Sequence, residues 1–255
     1  MIKKDYLIVI PVYNEAATLE RVAAKVILSS AAYANVLLIN DGSTDETPKI
    51  LENLKSYFGC IGLIQKKKNE GYGATLACGF EYALMNEYKY LITMDCDDQH
   101  QPEDIIRFVN ESDRIDLVSG SRYMPESGSK GIRPPAERVE INFRITKLLN
   151  RRYGWNLTDS FCGFKRYRLS AFAEASFEEK GYSAPMEMWS YVHSKNLTVK
   201  EIPVDKIYIT ADRTFGDDLD KKRKRFRYYL ETWKKSHRKF SGETLWSKKA
   251  PAWQA

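Results

Sequence analysis

Met94-Asp95-Cys96-Asp97-Asp98-Gln99-His100-Gln101-Pro102 follows directly on the apolar run Tyr90-Leu91-Ile92-Thr93, and the rest of the chain is read outward from it. A short apolar run ending in carboxylates reads as a buried strand whose carboxyl end lies at the ligand edge of an open α/β sheet. Alternation along an extended segment points Asp95, Asp97 and Gln99 to one side, where their hard oxygens suit one divalent cation such as Mg²⁺ or Mn²⁺. Pro102 then opens a helix. The competing reading of the same residues is an acidic cap on that helix, so the neighbouring segments must decide.

Upstream, three more strands end in polar clusters. Residues 6 to 12 read as a buried strand running into Pro11-Val12-Tyr13-Asn14-Glu15; Asn14 is expected to cap a helix with Leu19, Val22, Ala23, Val26 and Ile27 inward. The strand Asn35 to Asp41 leads into Gly42-Ser43-Thr44-Asp45, and Pro48 marks the first turn of a helix expected to bury Ile50, Leu51, Leu54, Tyr57 and Phe58. A third strand, about residues 60 to 65, is followed by Asn69-Glu70-Gly71-Tyr72-Gly73 and a helix burying Leu76, Phe80, Ala83 and Leu84. Downstream, Ile105, Ile106 and Val109 form the apolar stripe of the next helix, and residues 115 to 120 a fifth strand. Strands alternating with helices imply an α/β fold, with a parallel sheet and right-handed crossovers. Every polar cluster then falls on one sheet edge.

Beyond Arg122 the alternation breaks. Residues 125 to 135 are rich in Gly, Ser and Pro and read as a mobile loop. A helix from about 135 to 150, a strand from 163 to 168, a helix from 185 to 195 and a strand from 198 to 204 continue the same body.

The 255 residues are enough for one sizeable core. The apolar stretch near the start, Tyr6 to Val12, is far short of the roughly 20 residues a spanning helix needs, and no signal-peptide core precedes it, so a cytoplasmic, reducing location is expected. The four cysteines, at 60, 78, 96 and 162, are scattered without a C-x-x-C pair, which argues against a zinc site or a disulfide framework. The formal charge of +6 conceals a split: residues 221 to 240 carry +9, leaving −3 on the remainder. The body is mildly acidic and one terminal element strongly basic, a pattern that suits a local anionic partner.

Gly71-x-Gly73 fails as a dinucleotide fingerprint, because Leu76 stands where the third glycine belongs and the link from the strand is too long. No phosphate loop of the Gly-x-x-x-x-Gly-Lys-Ser/Thr form is present. What remains is P-x-Y-N-E at 11 to 15, N-D-G-S-T-D at 40 to 45, N-E-G-Y-G at 69 to 73 and D-C-D-D-Q at 95 to 99. In this order the segments resemble those of family 2 nucleotide-sugar glycosyltransferases with the GT-A fold. The continuation through His100-Gln101-Pro102-Glu103-Asp104, with Ser119-Gly120-Ser121-Arg122-Tyr123, Asp159 to Lys165 and Met186-Glu187-Met188, is most similar to the dolichol-phosphate mannosyltransferases and related polyprenyl-phosphate enzymes. The resemblance covers residues 6 to about 216. Two departures stand out: Asn40 replaces the first Asp of D-D-G-S, and Asp159 to Lys165 departs from the more usual Thr/Ser-Gly-Phe-Arg.

The resemblance implies an inverting, metal-dependent transfer of a hexose, mannose or glucose, from a GDP- or UDP-sugar to a polyprenyl phosphate. It makes Pro11, Tyr13, Glu15, Asp41, Gly71, Asp95, Cys96 and Asp97 nucleotide-sugar residues. Asp95, Asp97 and Gln99 become the metal ligands, Asp97 and Arg213 the catalytic pair, and Arg122, Arg138 and Asn142 the grip on the acceptor phosphate. Without the resemblance, Glu15 reads as a helix cap, Asp41 as a turn residue and Arg213 as a solvated loop arginine. His100 lies outside the alternation and is expected to start the helix or to stand behind the metal ligands. A phosphate monoester is largely ionised at neutral pH and attacks without a general base, whereas a sugar hydroxyl needs one. Glu187 lies where hydroxyl-accepting relatives carry that base, and is expected here to be structural.

The expected division is a glycosyltransferase domain over residues 1–216 and a basic amphipathic tail over 217–255. In the tail Phe226, Tyr229, Leu230, Trp233, His237 and Phe240 recur at helical spacing. Such a helix either docks its aromatic stripe on the body or lies in the interface of an anionic membrane, and the second is expected, with the enzyme peripheral at the inner face. Two rival readings are a transferase to a hydroxyl of a polysaccharide, and a catalytically dead nucleic-acid-binding protein using the basic tail; the intact acidic site speaks against nucleic acid.

Overall fold

A computed structural model describes residues 4–209 and 217–242. The strands are β1 (Tyr6–Val12), β2 (Ala34–Asn40), β3 (Gly62–Gln65), β4 (Tyr90–Thr93), β5 (Leu117–Ser121), β6 (Ser129–Gly131), β7 (Lys165–Arg168), β8 (Val199–Pro203) and β9 (Lys206–Tyr208). The helices are α1 (Leu19–Ser30), α2 (Thr47–Phe58), α3 (Tyr72–Met85), α4 (Ile105–Val109), α5 (Ala136–Tyr153), α6 (Leu169–Phe172), α7 (Ala184–Ser194) and α8 (Lys222–Ser241). The main sheet runs β3-β2-β1-β4-β7-β5-β8, and β6 pairs with β9 in a separate ribbon.

Strands β1 to β4 are mutually parallel, as the alternation of strands and helices predicts. Because β1 and β2 lie inside the sheet, both faces are apolar. Leu7, Val9, Leu37, Ile39 and Leu91 pack with α3, α5, α7 and α8, while Ile8, Ile10, Val36, Leu38 and Ile92 pack with α1, α2 and α4. The period of two thus divides one apolar run between two helical layers. β7 is antiparallel to both β4 and β5, so the second half of the chain enters the middle of the sheet.

Several local expectations change. Asn14 does not cap α1, which begins five residues later. It adopts φ 53°, its N–H donates to Ser43 Oγ at 2.9 Å, and its Oδ1 accepts from the Thr44 N–H at 2.8 Å, tying the β1 and β2 loops together. Tyr57 is 84% exposed and Ile106 is 40% exposed; α4 is short and turns Phe108 inward instead. The stretch read as a mobile loop contains β6, whose Gly131 pairs with Tyr208 of β9.

The basic terminal helix is present as α8, but its aromatic stripe docks on the body. Trp233 is fully buried and Tyr229 nearly so, with Phe226, Leu230 and Phe240 packed on the same cluster. Trp233 Nε1 donates to Tyr153 Oη at 2.7 Å. Insertion of this stripe into a bilayer is therefore excluded by packing, since the rings already have an apolar partner. Arg223, Lys224, Arg227, Lys234, Lys235 and Arg238 face outward. Among the described residues no helix is long and apolar enough to cross a membrane.

Candidate active site

The carboxyl ends of β1, β2, β4 and β5 open into a cleft of ≈ 910 Å³ closed on the other side by α5, α7 and α8. Pro11, Tyr13, Glu15, Asp41, Gly71, Asp95, Cys96, Asp97, Gln99, Arg122, Arg138 and Asn142 all line it. Residues from distant segments meet there because parallel strands deliver their carboxyl ends to one edge. Arg213 lies outside the described residues.

On the β1–β2–β4 side the loops are braced by their own carboxylates. Asp41 Oδ1 accepts from the Glu70 N–H at 3.1 Å and Oδ2 from the Gly71 N–H at 2.8 Å, and Lys66 Nζ lies 3.0 Å from Oδ1. Asp41 thus holds the Gly71 loop against the cleft. Gly71 has φ +104°, and a Cβ there would lie 2.3 Å from the Lys180 carbonyl oxygen, so only glycine fits.

Asp95 Oδ1 accepts from Tyr72 Oη at 2.9 Å, and Oδ2 lies 3.4 Å from His100 Nε2. Burial pushes the Asp95 carboxyl up, but the His100 and Tyr72 contacts outweigh it and hold it below the usual carboxylate range; burial and Asp95 together push the Tyr72 phenol well up. His100 is buried and stands behind Asp95, as expected. Its Nδ1 has no partner among the described residues.

Strict alternation ends at Asp97. Asp98 takes φ 57° and the Gln99 N–H donates to Asp97 Oδ1 at 3.1 Å, so a turn, not strand pleating, brings Gln99 to the cleft. Among the described residues no three acidic, histidine or cysteine side chains converge as a ready-made metal cage. That donor set still fits Mg²⁺ or Mn²⁺, hard ions bound by one or two carboxylates with substrate phosphates and water completing the shell. Asp97 and Gln99 would hold the ion. Both Asp95 oxygens are engaged by Tyr72 and His100.

Across the cleft, Arg122 and Asn142 meet at Asp159, a residue that the sequence reading placed only within a divergent stretch. Arg122 Nε and a terminal nitrogen donate to Asp159 at 2.6 and 3.0 Å, and Asn142 Nδ2 donates at 2.7 Å. Burial opposes this charge, but the Arg122 guanidinium, its hydrogen bonds and Asn142 outweigh it and bring Asp159 down to about 2. Arg122 and Asn142 are therefore anchored rather than free, and both line the cleft. Lys165, also unassigned from sequence, lines the cleft; burial lowers its pKa, and Nζ donates to Ser119 Oγ at 2.5 Å. Arg225 was hidden in the basic run; it is buried in the cleft wall and donates to Glu137 Oε1 at 2.8 Å. No sequence pattern separates it from its solvated neighbours.

Glu187 is 3% exposed and absent from the cleft lining. One oxygen accepts from the N–H groups of Glu178 and Glu179, each at 2.8 Å, and the other from Lys239 Nζ at 3.2 Å. It pins the loop before α7, in agreement with a structural role.

Residues 7–175 match the family described as glycosyl transferase family 2. The chain is 28% identical over 201 residues to an undecaprenyl-phosphate mannosyltransferase of Micrococcus luteus, covering 78% of this chain and 82% of the relative. It is 26% identical over 203 residues to a polyprenol monophosphomannose synthase of Mycolicibacterium smegmatis, covering 78% and 76%. Among solved structures it resembles the Mycobacterium tuberculosis glucosyl-3-phosphoglycerate synthase in complex with Mn²⁺, UDP and glucosyl-3-phosphoglycerate, with a TM-score of 0.64 at 16% identity over 91% of this chain and 80% of that one. The likeness in structure carries the fold, and the sequence match carries the family. The chain belongs to glycosyl transferase family 2 and is a nucleotide-sugar glycosyltransferase of the GT-A fold.

Proposed function

We propose that the protein transfers a hexose, mannose or glucose, from a GDP- or UDP-sugar to a polyprenyl phosphate at the inner face of the membrane, with inversion at the sugar carbon. One observation carries the acceptor reading. The chain beyond residue 121 contributes Arg122, Arg138, Lys165 and Arg225 to the described cleft lining and no carboxylate. A phosphate dianion is attracted to such a wall and needs no base to attack. A hydroxyl acceptor needs a carboxylate or histidine at the same place, and Glu187 is turned away with both oxygens occupied. The relatives' names support the same acceptor class: undecaprenyl-phosphate mannosyltransferase, polyprenol monophosphomannose synthase and, at 25% identity over 235 residues, a UDP-N-acetylglucosamine–dolichyl-phosphate N-acetylglucosaminyltransferase of Methanococcus voltae.

Asp97 and Gln99 would hold Mg²⁺ or Mn²⁺, which when bound neutralises the charge that builds on the departing diphosphate. The likeness to synthase structures with UDP and Mn²⁺ or Mg²⁺ supports a divalent ion in this fold. Asp41 and Gly71 shape the nucleotide pocket, Glu15 offers its carboxylate to the base or ribose, Asp95 holds Tyr72 and His100 at the pocket floor, and Arg122 and Arg138 orient the acceptor for attack opposite the leaving group. Single displacement by the acceptor inverts the sugar carbon, because no enzyme nucleophile intervenes. Arg213 is assigned to diphosphate closure on the family resemblance alone.

The test is an assay with labelled sugar nucleotides and either a short-chain prenyl phosphate or an oligosaccharide as acceptor, run on wild type and Glu187→Gln. Transfer to the prenyl phosphate, with kcat within a few-fold of wild type in the stably folded variant, is expected. Loss of a general base costs about 10²- to 10⁴-fold. Such a loss in folded Glu187→Gln, with transfer only to the oligosaccharide, overturns the reading.

A further inference from the structure

Resting on the lipid-acceptor reading, we infer that the outward face of α5, the β6–β9 ribbon and the start of α8 form the surface that docks on an anionic membrane. Three exposed large apolar side chains belong to these elements or flank them: Phe143 (65% exposed), Ile132 (43%) and Ile209 (56%). The ribbon end joins the two isoleucines, since the Ile132 N–H donates to the Tyr208 carbonyl at 2.7 Å and Ile209 follows directly. Between ribbon and helix runs an open groove lined by Arg133, Pro134, Val139, Phe143 and Lys206. Apolar side chains of this size in contact with water on one face mark an interaction surface.

The charges among them select the partner. Arg133 and Lys147 are exposed and Lys206 half-exposed, with the Lys147 ammonium 6.0 Å from the centre of the Phe143 ring. The carboxylate in the groove, Glu140, is offset by Lys222 and by Arg144 at 3.6 Å. The patch is therefore cationic with apolar side chains between the charges, the composition that binds the headgroup boundary of an anionic leaflet. The aromatic stripe of α8 cannot serve this purpose because it is buried against the body, but the exposed basic residues at the start of that helix continue the cationic surface.

The placement also meets the acceptor's geometry. Asn142 lines the cleft and Phe143, the next residue on α5, faces outward; consecutive helical residues diverge by about 100° on a cylinder about 10 Å across. A bilayer touching the outer face of α5 thus lies within one helix width of Arg138. A lipid phosphate can enter the cleft there while its polyprenyl chain stays in the membrane.

The test uses the full chain, vesicles of equal parts phosphatidylglycerol and phosphatidylcholine, vesicles of phosphatidylcholine alone, and the variants Ile132→Asp/Phe143→Asp and Arg133→Ser/Lys147→Ser. All four positions lie outside the catalytic and binding machinery. Wild type is expected to co-sediment with the anionic vesicles in low salt. The apolar double variant should partition at least about ten-fold less and the charge variant about five-fold less per cation removed, while transfer to a water-soluble short-chain prenyl phosphate stays within two-fold or so of wild type in both. Vesicle binding unchanged in both double variants overturns the surface assignment. So does a wild type that ignores anionic vesicles but self-associates through the patch, which would make the partner a second copy of this chain. Absence of transfer to the short-chain acceptor overturns the acceptor reading instead, so the two failures are distinguishable.

Discussion

Asp159→Asn is the most exacting single test of how the cationic side of the cleft is built. Asp159 is fully buried and accepts five hydrogen bonds, from the Arg122 N–H, Nε and a terminal nitrogen, Asn142 Nδ2 and the Phe161 N–H. Its folded pKa of about 2 lies below the usual 3.8, so the fold favours the charged form and Asp159 adds stability at neutral pH. Asparagine keeps the volume but turns an NH₂ toward donors, leaving Arg122 buried without its counter-charge. Removing one partner of such a pair costs about 3–5 kcal/mol, so a loss of about 3 kcal/mol and a Tm lower by about 10 °C are expected. The pH dependence has a fixed sign. A depressed carboxylate contributes its stability above its unfolded pKa near 4 and loses it as pH falls through the folded pKa near 2. In urea titrations wild type and variant should therefore differ most at neutral pH and converge toward pH 2. A difference below about 1 kcal/mol at pH 7, or one that does not narrow on acidification, refutes the account of Asp159.

Three further substitutions probe other parts. Asp97→Asn should lower kcat by about 10²-fold or more with an unchanged circular dichroism spectrum, because it removes the charge of the proposed metal ligand but little volume; wild-type turnover across a Mg²⁺ or Mn²⁺ titration would contradict the metal site. Arg138→Ala should raise the KM for lipid phosphate about ten-fold or more while leaving that for the sugar nucleotide nearly unchanged, and an equal rise in both would place Arg138 elsewhere in the reaction. Trp233→Ala should cost about 3–5 kcal/mol in urea unfolding, since the ring is fully buried and holds Tyr153. A loss under about 1 kcal/mol would mean that α8 is not anchored to the body through that side chain.

The first half of the fold was legible because β1 to β4 are parallel neighbours built from local β-α units, each written as an apolar run, a polar turn and an amphipathic helix. The turn residues converge for the same reason. Helix faces were read less well at the surface: Tyr57 and Ile106 fit the apolar spacing, yet stand exposed to solvent. Asn14 has the chemistry of a cap but serves a left-handed turn that crosses to Thr44. The cationic wall was half legible. Arg122, Arg138 and Asn142 came from the family resemblance, whereas Asp159, Lys165 and Arg225 act through long-range packing, which leaves no local spacing to detect. The aromatic stripe of α8 has one periodicity whether it meets a bilayer or a protein core, and only the apolar faces of α5 and α7 decide between them.

The antiparallel entry of β7 makes the active site a late event in the life of the chain. Residues 165–168 fill the slot between β4, residues 90–93, and β5, residues 117–121. While a ribosome is still extruding the first 160 residues, β4 presents an unpaired edge and β5 has no connection to the rest of the sheet. An uncovered edge of this kind invites pairing with other chains, and contacts of such sequence separation close slowly. The cationic wall depends on the same closure, because Asp159 and Lys165 arrive with β7. Loops on β1, β2 and β4 can therefore be in place on a nascent chain that still lacks the cationic side of its cleft, and the complete cleft appears only when β7 enters its gap.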